Sequence, residues 1–320
     1  MDSITQGVLG AAVGEALLGK KIGNKGAIVG AVVATIPDLD VILYLFYDKF
    51  EMLSIHRGFS HSIVFTILGG LLIAFGLSKI TWFQNLKFTR LFLFVWLCLF
   101  THILLDTFTA YGTQLFSPFS DKRLGFDSIN VVDPVYTFPL IVGLTLSLWF
   151  YKSKLERSTF NNYGLLISSL YLIFTLINKE VVKTKISERF SLESIEYNSL
   201  LTMPIGIANI NWYSVAKGTD SIYMIKHALF SNRDNPIDAF PINEDYLNQI
   251  DQQVADKMRW FAKGFYTVEK ENNKVRVYNL QVDMRGIVIV DNKKAPTAGY
   301  FEVSNINGQS VFSSGSIKNQ

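Results

Sequence analysis

The sequence contains a single cysteine, Cys98, and this residue lies inside an apolar run. A disulfide framework and a cysteine-ligated zinc site are therefore excluded. The net charge is only +3, and no basic patch is interleaved with aromatic residues, so no nucleic-acid partner is expected. The first residues lack the positively charged start of a secretory signal, and we expect this segment to be retained.

Long apolar runs are concentrated before residue 178. The runs cover residues 4–19, 26–47, 62–78, 91–108, 138–151 and 161–178. Three of them approach the roughly 20 residues that cross a bilayer, the fifth is shorter, and the first two either cross or enter as re-entrant elements. The sequence predicts a mainly α-helical polytopic membrane domain over 1–178, followed by a smaller α+β soluble domain over 179–320.

Basic residues fall in alternate connections between the apolar runs. They form three groups: Lys20, Lys21 and Lys25; Lys79, Lys87 and Arg90; Lys152, Lys154 and Arg157. The positive-inside rule places these connections in the cytoplasm. The sequence therefore predicts a multi-pass protein of the cell (inner) membrane, with the lipid bilayer as its partner and an extracytoplasmic C-terminal domain.

The C-terminal domain carries short alternating patterns that indicate strands. They cover residues 210–216, 221–226, 264–269, 274–282 and 298–304. Glu271, Asn272 and Asn273 between two of these runs predict a hairpin turn. Apolar residues recur at mostly helical spacing over 243–261, which predicts one helix there.

Three of the four histidines lie in the membrane domain, on its predicted outward side. His56 and His61 belong to the motif HRGFSHS, and His102 opens the motif HILLD. On a helix, His102 and Asp106 share one face because they are four residues apart. A histidine paired with an aspartate for structure alone is the alternative explanation.

Two further carboxylates, Asp38 and Asp40, follow Pro37, which should break or kink its helix. Asp38 is the favoured ligand of the two, and Asp40 is expected to support it. Imidazole and carboxylate groups are ligands for zinc and for harder ions such as manganese. An unpaired charge at membrane depth costs about 2.5 to 3.5 kcal/mol or more. A shared divalent metal removes that cost, so a metal centre is predicted.

Other polar residues have two possible roles each. Arg57 either steers an anionic substrate or extends to the membrane surface. Glu15 is a candidate general base or an interhelical hydrogen-bond partner. In the long loop 109–137, which has the length of a functional loop, Arg123 is expected in a solvated turn. Asp133 precedes a proline and is either a ligand or a helix cap.

The order of the motifs MDSITQGVLG, IPDLD, HRGFSHS, THILLD and VVDPVYT resembles the YdjM-like family of inner-membrane proteins, described as metal-dependent hydrolases. The resemblance covers about residues 1–150. It implies a divalent metal held by His56, His61, His102, Asp106 and Asp38. Related proteins often carry a histidine where this chain has Gln6, so one ligand is either missing or replaced by Glu15.

These motifs predict a membrane-bound hydrolase in which the metal activates water. Asp38 or Glu15 would accept the proton, and Arg57 would stabilise the developing negative charge. The depth of the site suggests a lipid-like substrate with a phosphate ester. The main alternative is a non-catalytic metal-binding transport or scaffold protein. A third possibility is that the soluble domain binds an envelope partner and the membrane domain is its anchor.

Overall fold

The structure is a computed structural model that describes residues 1–150, 157–230, 235–272, 274–281, 297, 299–306 and 309–316. The chain divides into two compact units. The helical unit comprises residues 1–45, 55–178 and 206–209. The sheet unit comprises residues 46–54, 179–205 and 210–320.

The helical unit is built from α-helices and short 3₁₀ segments. In chain order the helices are α1 (Ser3–Ile22), α2 (Lys25–Thr35), α3 (Lys49–Ile55, mostly in the sheet unit), α4 (Ile63–Ser78), α5 (Phe88–Thr107), α6 (Pro134–Thr145) and α7 (Arg157–Leu192, whose residues from 179 onward belong to the sheet unit). The 3₁₀ segments cover Pro37–Leu45 and Phe59–His61, and a π-helical turn, Leu146–Phe150, continues α6.

Local sequence signals determine where several of these helices begin. The Asp2 side chain accepts a hydrogen bond from the Thr5 amide at the start of α1. Asp133 caps α6 by accepting from the Val135 amide, and Pro134 occupies the first turn. A proline is tolerated there because its missing amide would have no helical partner. The capping interpretation of Asp133 is thus confirmed.

Helices α1 and α2 pack closely because glycines face each other. A Cβ atom built on Gly10 would lie 2.4 Å from the Gly30 carbonyl oxygen, and one on Gly14 would lie 2.1 Å from that of Gly26. Only residues without a side chain allow this approach, as in small-residue helix pairs of membrane proteins. Helix α5 packs beside this pair and contributes fully buried Leu91, Phe94 and Leu99 to the core.

Among the described residues, α5 and α7 are long and apolar enough to cross a membrane. Two bent pairs also qualify when each is taken as one span: α2 with Pro37–Leu45, bent by 48°, and Lys49–His61 with α4, bent by 60°. The break predicted at Pro37 is confirmed. On α7, Leu166, Leu170 and Ile173 are each more than half exposed, which suits a lipid-facing surface.

The sheet unit holds two four-stranded antiparallel sheets with strands in sequence order. The first contains β1 (Ser199–Ile205), β2 (Asn211–Lys217), β3 (Ser221–Ala228) and β4 (Asp238–Pro241). The second contains β5 (Tyr266–Glu271), β6 (Lys274–Asn279), β7 (Gly299–Ile306) and β8 (Gln309–Ser316). Two short helices, α8 (Glu244–Leu247) and α9 (Gln252–Phe261), separate them in the sequence.

The predicted fold class is confirmed: apolar helices precede a domain of two antiparallel sheets. The predicted hairpin joins β5 to β6, where Glu271 pairs with Lys274, although Asn273 of its turn lies outside the described residues. The single helix predicted over 243–261 is wrong. The chain forms α8 and α9 instead, because Asp251 caps a new helix by accepting from the Gln253 and Val254 amides.

Candidate metal centre

The first ligand segment is the 3₁₀ helix that follows α2. Pro37 has no amide hydrogen, so the regular pattern of α2 stops before it. Asp38 and Asp40 lie in the first turn of the new segment. Asp38 keeps 19% of its side chain exposed, whereas Asp40 is buried at 4%. Asp38 is therefore the carboxylate through which solvent reaches this part of the molecule.

The second segment is the motif HRGFSHS. Arg57 adopts a left-handed backbone with φ of 56°, and a short 3₁₀ turn over Phe59–His61 follows it. The Ser62 side chain accepts a hydrogen bond from the Phe65 amide at 3.0 Å and so begins α4. These turns hold His61 fully buried, immediately before the helix.

The third segment is the last turn of α5. His102 Nε2 lies 3.7 Å from Asp106 Oδ2, as expected for residues four apart on a helix. Both side chains are fully buried. The predicted pairing of these two residues is confirmed.

Four ligand atoms from the three segments meet within 4.8 Å of one another: one each from Asp38, His61, His102 and Asp106. His61 Nε2 lies 3.4 Å from Asp38 Oδ1 and 3.4 Å from Asp106 Oδ2. His102 Nε2 lies 3.2 Å from His61 Nε2 and 3.5 Å from Asp38 Oδ1.

Five of the six separations between these four atoms, 3.2 to 3.7 Å, lie close to those of a tetrahedral cation site. A tetrahedral ion with bonds of about 2.0 to 2.2 Å has ligand atoms about 3.3 to 3.6 Å apart. The cluster also leaves Asp106 Oδ2 buried without a hydrogen-bond partner among the described residues, although such atoms are normally satisfied. Two imidazoles and two carboxylates therefore could hold a divalent ion here.

The local charge also favours a cation. Three buried or half-buried carboxylates, those of Asp38, Asp40 and Asp106, lie near the guanidinium of Arg57 and the amino group of Met1. The sum of these charges is negative. Isolated charges away from water are strongly unfavourable, so a bound cation would stabilise the arrangement.

Asp40 lies outside the four clustered ligands and contacts one of them through Ser60. Its Oδ2 accepts from Ser60 Oγ at 2.8 Å, and Ser60 Oγ lies 2.9 Å from His61 Nδ1. A hydrogen bond at Nδ1 fixes the orientation of the ring and directs Nε2 toward the ligand site. Asp40 Oδ1 also lies 2.8 Å from His56 Nδ1.

His56 is therefore not among the four clustered ligands. Arg57, with its left-handed backbone, lies between His56 and His61 in the sequence. The His56 ring hydrogen-bonds to Asp40 instead of joining the cluster. Gln6 lies beside the cluster. Its side-chain amide donates to Asp106 Oδ1 at 3.0 Å and to the His102 carbonyl at 3.2 Å.

Glu15 lies in a different contact. Its carboxylate accepts hydrogen bonds from Arg157 Nε at 2.6 Å and Arg157 Nη2 at 2.7 Å. Arg157 also donates to Asn24 Oδ1 at 2.8 Å. Glu15 neither replaces a ligand nor faces the cluster as a base, because both of its oxygens are engaged by this guanidinium.

Sequence reasoning missed two contributors near the centre. Arg123, expected in a solvated turn, is only 8% exposed and contacts the Tyr111 ring and backbone carbonyl. Ser60 has a local signal, because it lies directly before His61 in HRGFSHS. Arg123 has no comparable signal in the neighbouring sequence. The position of its loop depends on contacts between residues distant in the sequence, such as the hydrogen bonds between the Thr113 and Leu124 backbones.

Comparisons with known proteins agree with the membrane character of the helical unit. The sequence pattern of the YdjM inner membrane protein family matches residues 1–182, more than half of the chain. The chain is 32% identical over 204 residues to "Uncharacterized protein YfhP" of Bacillus subtilis (strain 168), a match covering 61% of this chain and 60% of that relative.

A second relative, "Inner membrane protein YbcI" of Escherichia coli (strain K12), is 33% identical over 122 residues, which cover 38% of this chain and 69% of that protein. The chain thus spans about three-fifths of the first relative's length and about two-thirds of the second's. No solved structure matches the chain. From its family match, the chain belongs to the YdjM inner membrane protein family.

Proposed function

We propose that this protein is a membrane-embedded, metal-dependent hydrolase. The observation that carries the proposal is the convergence of two imidazole nitrogens and two carboxylate oxygens. The five distances given above between these four atoms are 3.2 to 3.7 Å. Such spacing suits zinc in tetrahedral geometry, and manganese is the second candidate. His61, His102, Asp38 and Asp106 would hold the ion.

A divalent ion at this site would lower the pKa of a bound water to about 7 and supply a nucleophile at neutral pH. Asp38, the most exposed of the four ligands, would accept the proton on its second oxygen. Arg57 Nε lies 3.3 Å from Asp106 Oδ2, so its positive charge would stabilise negative charge that develops beside the ligands.

The surroundings of Asp38 favour an amphiphilic substrate. In the same 3₁₀ segment, Leu39, Val41 and Ile42 are 53%, 47% and 51% exposed. These apolar side chains adjoin the one ligand that solvent reaches, so a molecule with an acyl chain and a polar head would contact both. A lipid or envelope amphiphile with a phosphate ester meets this requirement.

A non-catalytic metal centre is the second candidate, because one observation favours it. Structural zinc sites have four protein ligands, whereas catalytic sites keep an open position. Four ligand atoms already converge here. Catalysis would then require Asp38 to move away or the ion to accept a fifth ligand.

The test is metal analysis and turnover of the full-length protein purified in detergent. The wild type is compared with a His61→Ala, His102→Ala double variant. A His227→Ala variant is the control, since it removes the histidine that lies in the sheet unit. We expect stoichiometric zinc or manganese in the wild type and the control, and hydrolysis of a phosphate-ester amphiphile by both.

The double variant should lose metal and turnover while still melting cooperatively. Metal binding without turnover across phosphate-ester amphiphiles would support the non-catalytic centre. A wild type that binds no zinc or manganese, even after reloading, would rule out both candidates.

A further inference from the structure

A second cluster of buried charge lies beside the metal centre, around the ring of Tyr111. The guanidinium carbon of Arg57 lies 5.0 Å from the ring centroid, and that of Arg123 lies 4.3 Å from it. Each arginine is only 8% exposed. Two cations from separate segments therefore approach one aromatic ring inside the helical unit.

Arg57 connects this cluster to the candidate ligands. Its Nε lies 3.3 Å from Asp106 Oδ2, and its Nη1 donates to Thr109 Oγ1 at 3.2 Å. Arg57 thus extends from a ligand carboxylate to the ring of Tyr111. The His56 ring lies 5.7 Å from the same ring.

The two arginines are like charges held out of water. Burial is the main reason that the pKa of Arg123 falls to about 10, and the charge of Arg57 lowers it further. Tyr111 and Asp127 act in the opposite direction. Arg123 stays charged at neutral pH, so an anion that contacts both guanidinium groups lowers their mutual repulsion.

We propose that Arg57, Tyr111 and Arg123 form a binding site for a terminal phosphate group next to the metal centre. The proposal rests on the proposed function, which places an ion at Asp38, His61, His102 and Asp106. The guanidinium forks bind phosphate oxygens, and the Tyr111 ring keeps both forks in place through cation–π contacts.

The number of cations defines the chemical class of the ligand. A phosphate monoester or the end of a pyrophosphate has three free oxygens and carries about −1.5 to −2 charges at neutral pH. A phosphate diester has two free oxygens and one charge. The three groups that would contact the ligand, two guanidinium groups and a divalent ion, match the three free oxygens of the terminal phosphate.

The test measures phosphate binding rather than turnover. Full-length protein in detergent, loaded with zinc, is titrated with inorganic phosphate by calorimetry, and its zinc content and melting are recorded. We expect Arg57→Gln and Arg123→Gln each to weaken phosphate binding by about tenfold or more, because each removes a charge-assisted contact. Lys122→Gln is the matched control, since Lys122 is an exposed cation in the same loop.

Arg123→Lys provides a second variant if Arg123→Gln does not fold. It keeps the charge but loses the fork, so binding should fall between that of the wild type and that of a neutral variant. Unchanged phosphate affinity in a folded, zinc-loaded Arg123 variant would overturn the assignment. Zinc binding without phosphate binding by the wild type would overturn it too, and would leave the metal centre intact.

The source of the phosphate is identified by comparing ligands. Dodecyl phosphate and glycerol phosphate both present a terminal phosphate, and either should compete with inorganic phosphate. Tighter binding of dodecyl phosphate would identify a lipid ligand, and equal binding a soluble one. A dialkyl phosphate diester that binds as tightly as dodecyl phosphate would contradict the preference for a terminal group.

Discussion

The helical unit buries acidic side chains in two places, and the two places satisfy them differently. Glu15 is fully buried and receives two hydrogen bonds from the single guanidinium of Arg157. Asp38, Asp40 and Asp106 instead converge with histidines and with fewer positive charges than carboxylates. The first cluster pairs one carboxylate with one guanidinium, whereas the second could hold a metal ion. This difference distinguishes an ion pair from a candidate binding site.

The largest expected effect concerns the ion pair between Glu15 and Arg157. Arg157→Leu leaves the Glu15 carboxylate buried without its partner, and breaking a buried ion pair costs about 3 to 5 kcal/mol. Denaturant unfolding of the protein in detergent should show this loss. The Glu15→Leu, Arg157→Leu double variant should recover most of it, since no charge remains buried.

Metal content should stay at the wild-type level in folded Arg157→Leu protein. If the single variant is as stable as the wild type, Glu15 and Arg157 do not form a structural pair. If the variant loses its metal, the two clusters are not independent.

An intermediate effect is expected at the candidate metal centre. Removing the ion with a chelator should lower the free energy of unfolding by about 2.7 kcal/mol relative to protein with metal at 100 times its Kd. Thermal melting with and without zinc measures the change. His227→Ala should show the same shift, and Asp106→Asn should show a much smaller one.

Equal melting temperatures with zinc and after chelation would mean that the carboxylates of this cluster are compensated without an ion. The contrast with Glu15 would then disappear, because both clusters would be structural.

The smallest effect concerns an exposed pair in the sheet unit. Burial raises the pKa of Glu244, but hydrogen bonds from Tyr266 and Arg259 outweigh it and lower the pKa below its usual value. The folded state therefore gains stability that is complete above the unfolded pKa and is lost as the pH falls through the lower folded pKa. Since the Glu244 side chain is 40% exposed, we expect less than about 1 kcal/mol.

Melting of the wild type and of Glu244→Gln between pH 7 and pH 3 tests this expectation. The difference between the two proteins should shrink as the pH decreases through the acid range. A difference that is independent of pH would show that the ion pair does not stabilise the folded state.

Much of the candidate metal centre was predictable because its residues carry local signals. His102 and Asp106 are fixed side by side by helical spacing, and Pro37 marks the break that presents Asp38. These predictions need only the geometry of one helix or one turn.

The remaining features depend on contacts between distant parts of the chain. Glu15 and Arg157 are 142 residues apart, and Arg157 was interpreted from its charge as part of a cytoplasmic connection. His56 belongs to the same motif as His61, yet a single left-handed residue directs it to Asp40. No periodicity in the sequence encodes such contacts.

In the sheet unit, too, some elements have local sequence signals and others depend on contacts with distant residues. The runs that became β2, β3, β5, β6 and β7 have alternating patterns and were identified from them. β1, β4 and β8 were not predicted. β4 is only four residues long and largely exposed, so its pairing with β3 rather than its composition makes it a strand.

The left-handed backbone of Arg57 also bears on how this turn arose. Glycine adopts such a conformation without strain, whereas a long side chain there costs on the order of 1 kcal/mol or more. A chain that required only the turn would therefore be more stable with glycine at this position. Arginine at this position supplies side-chain contacts that glycine could not make, with Asp106 and with Thr109.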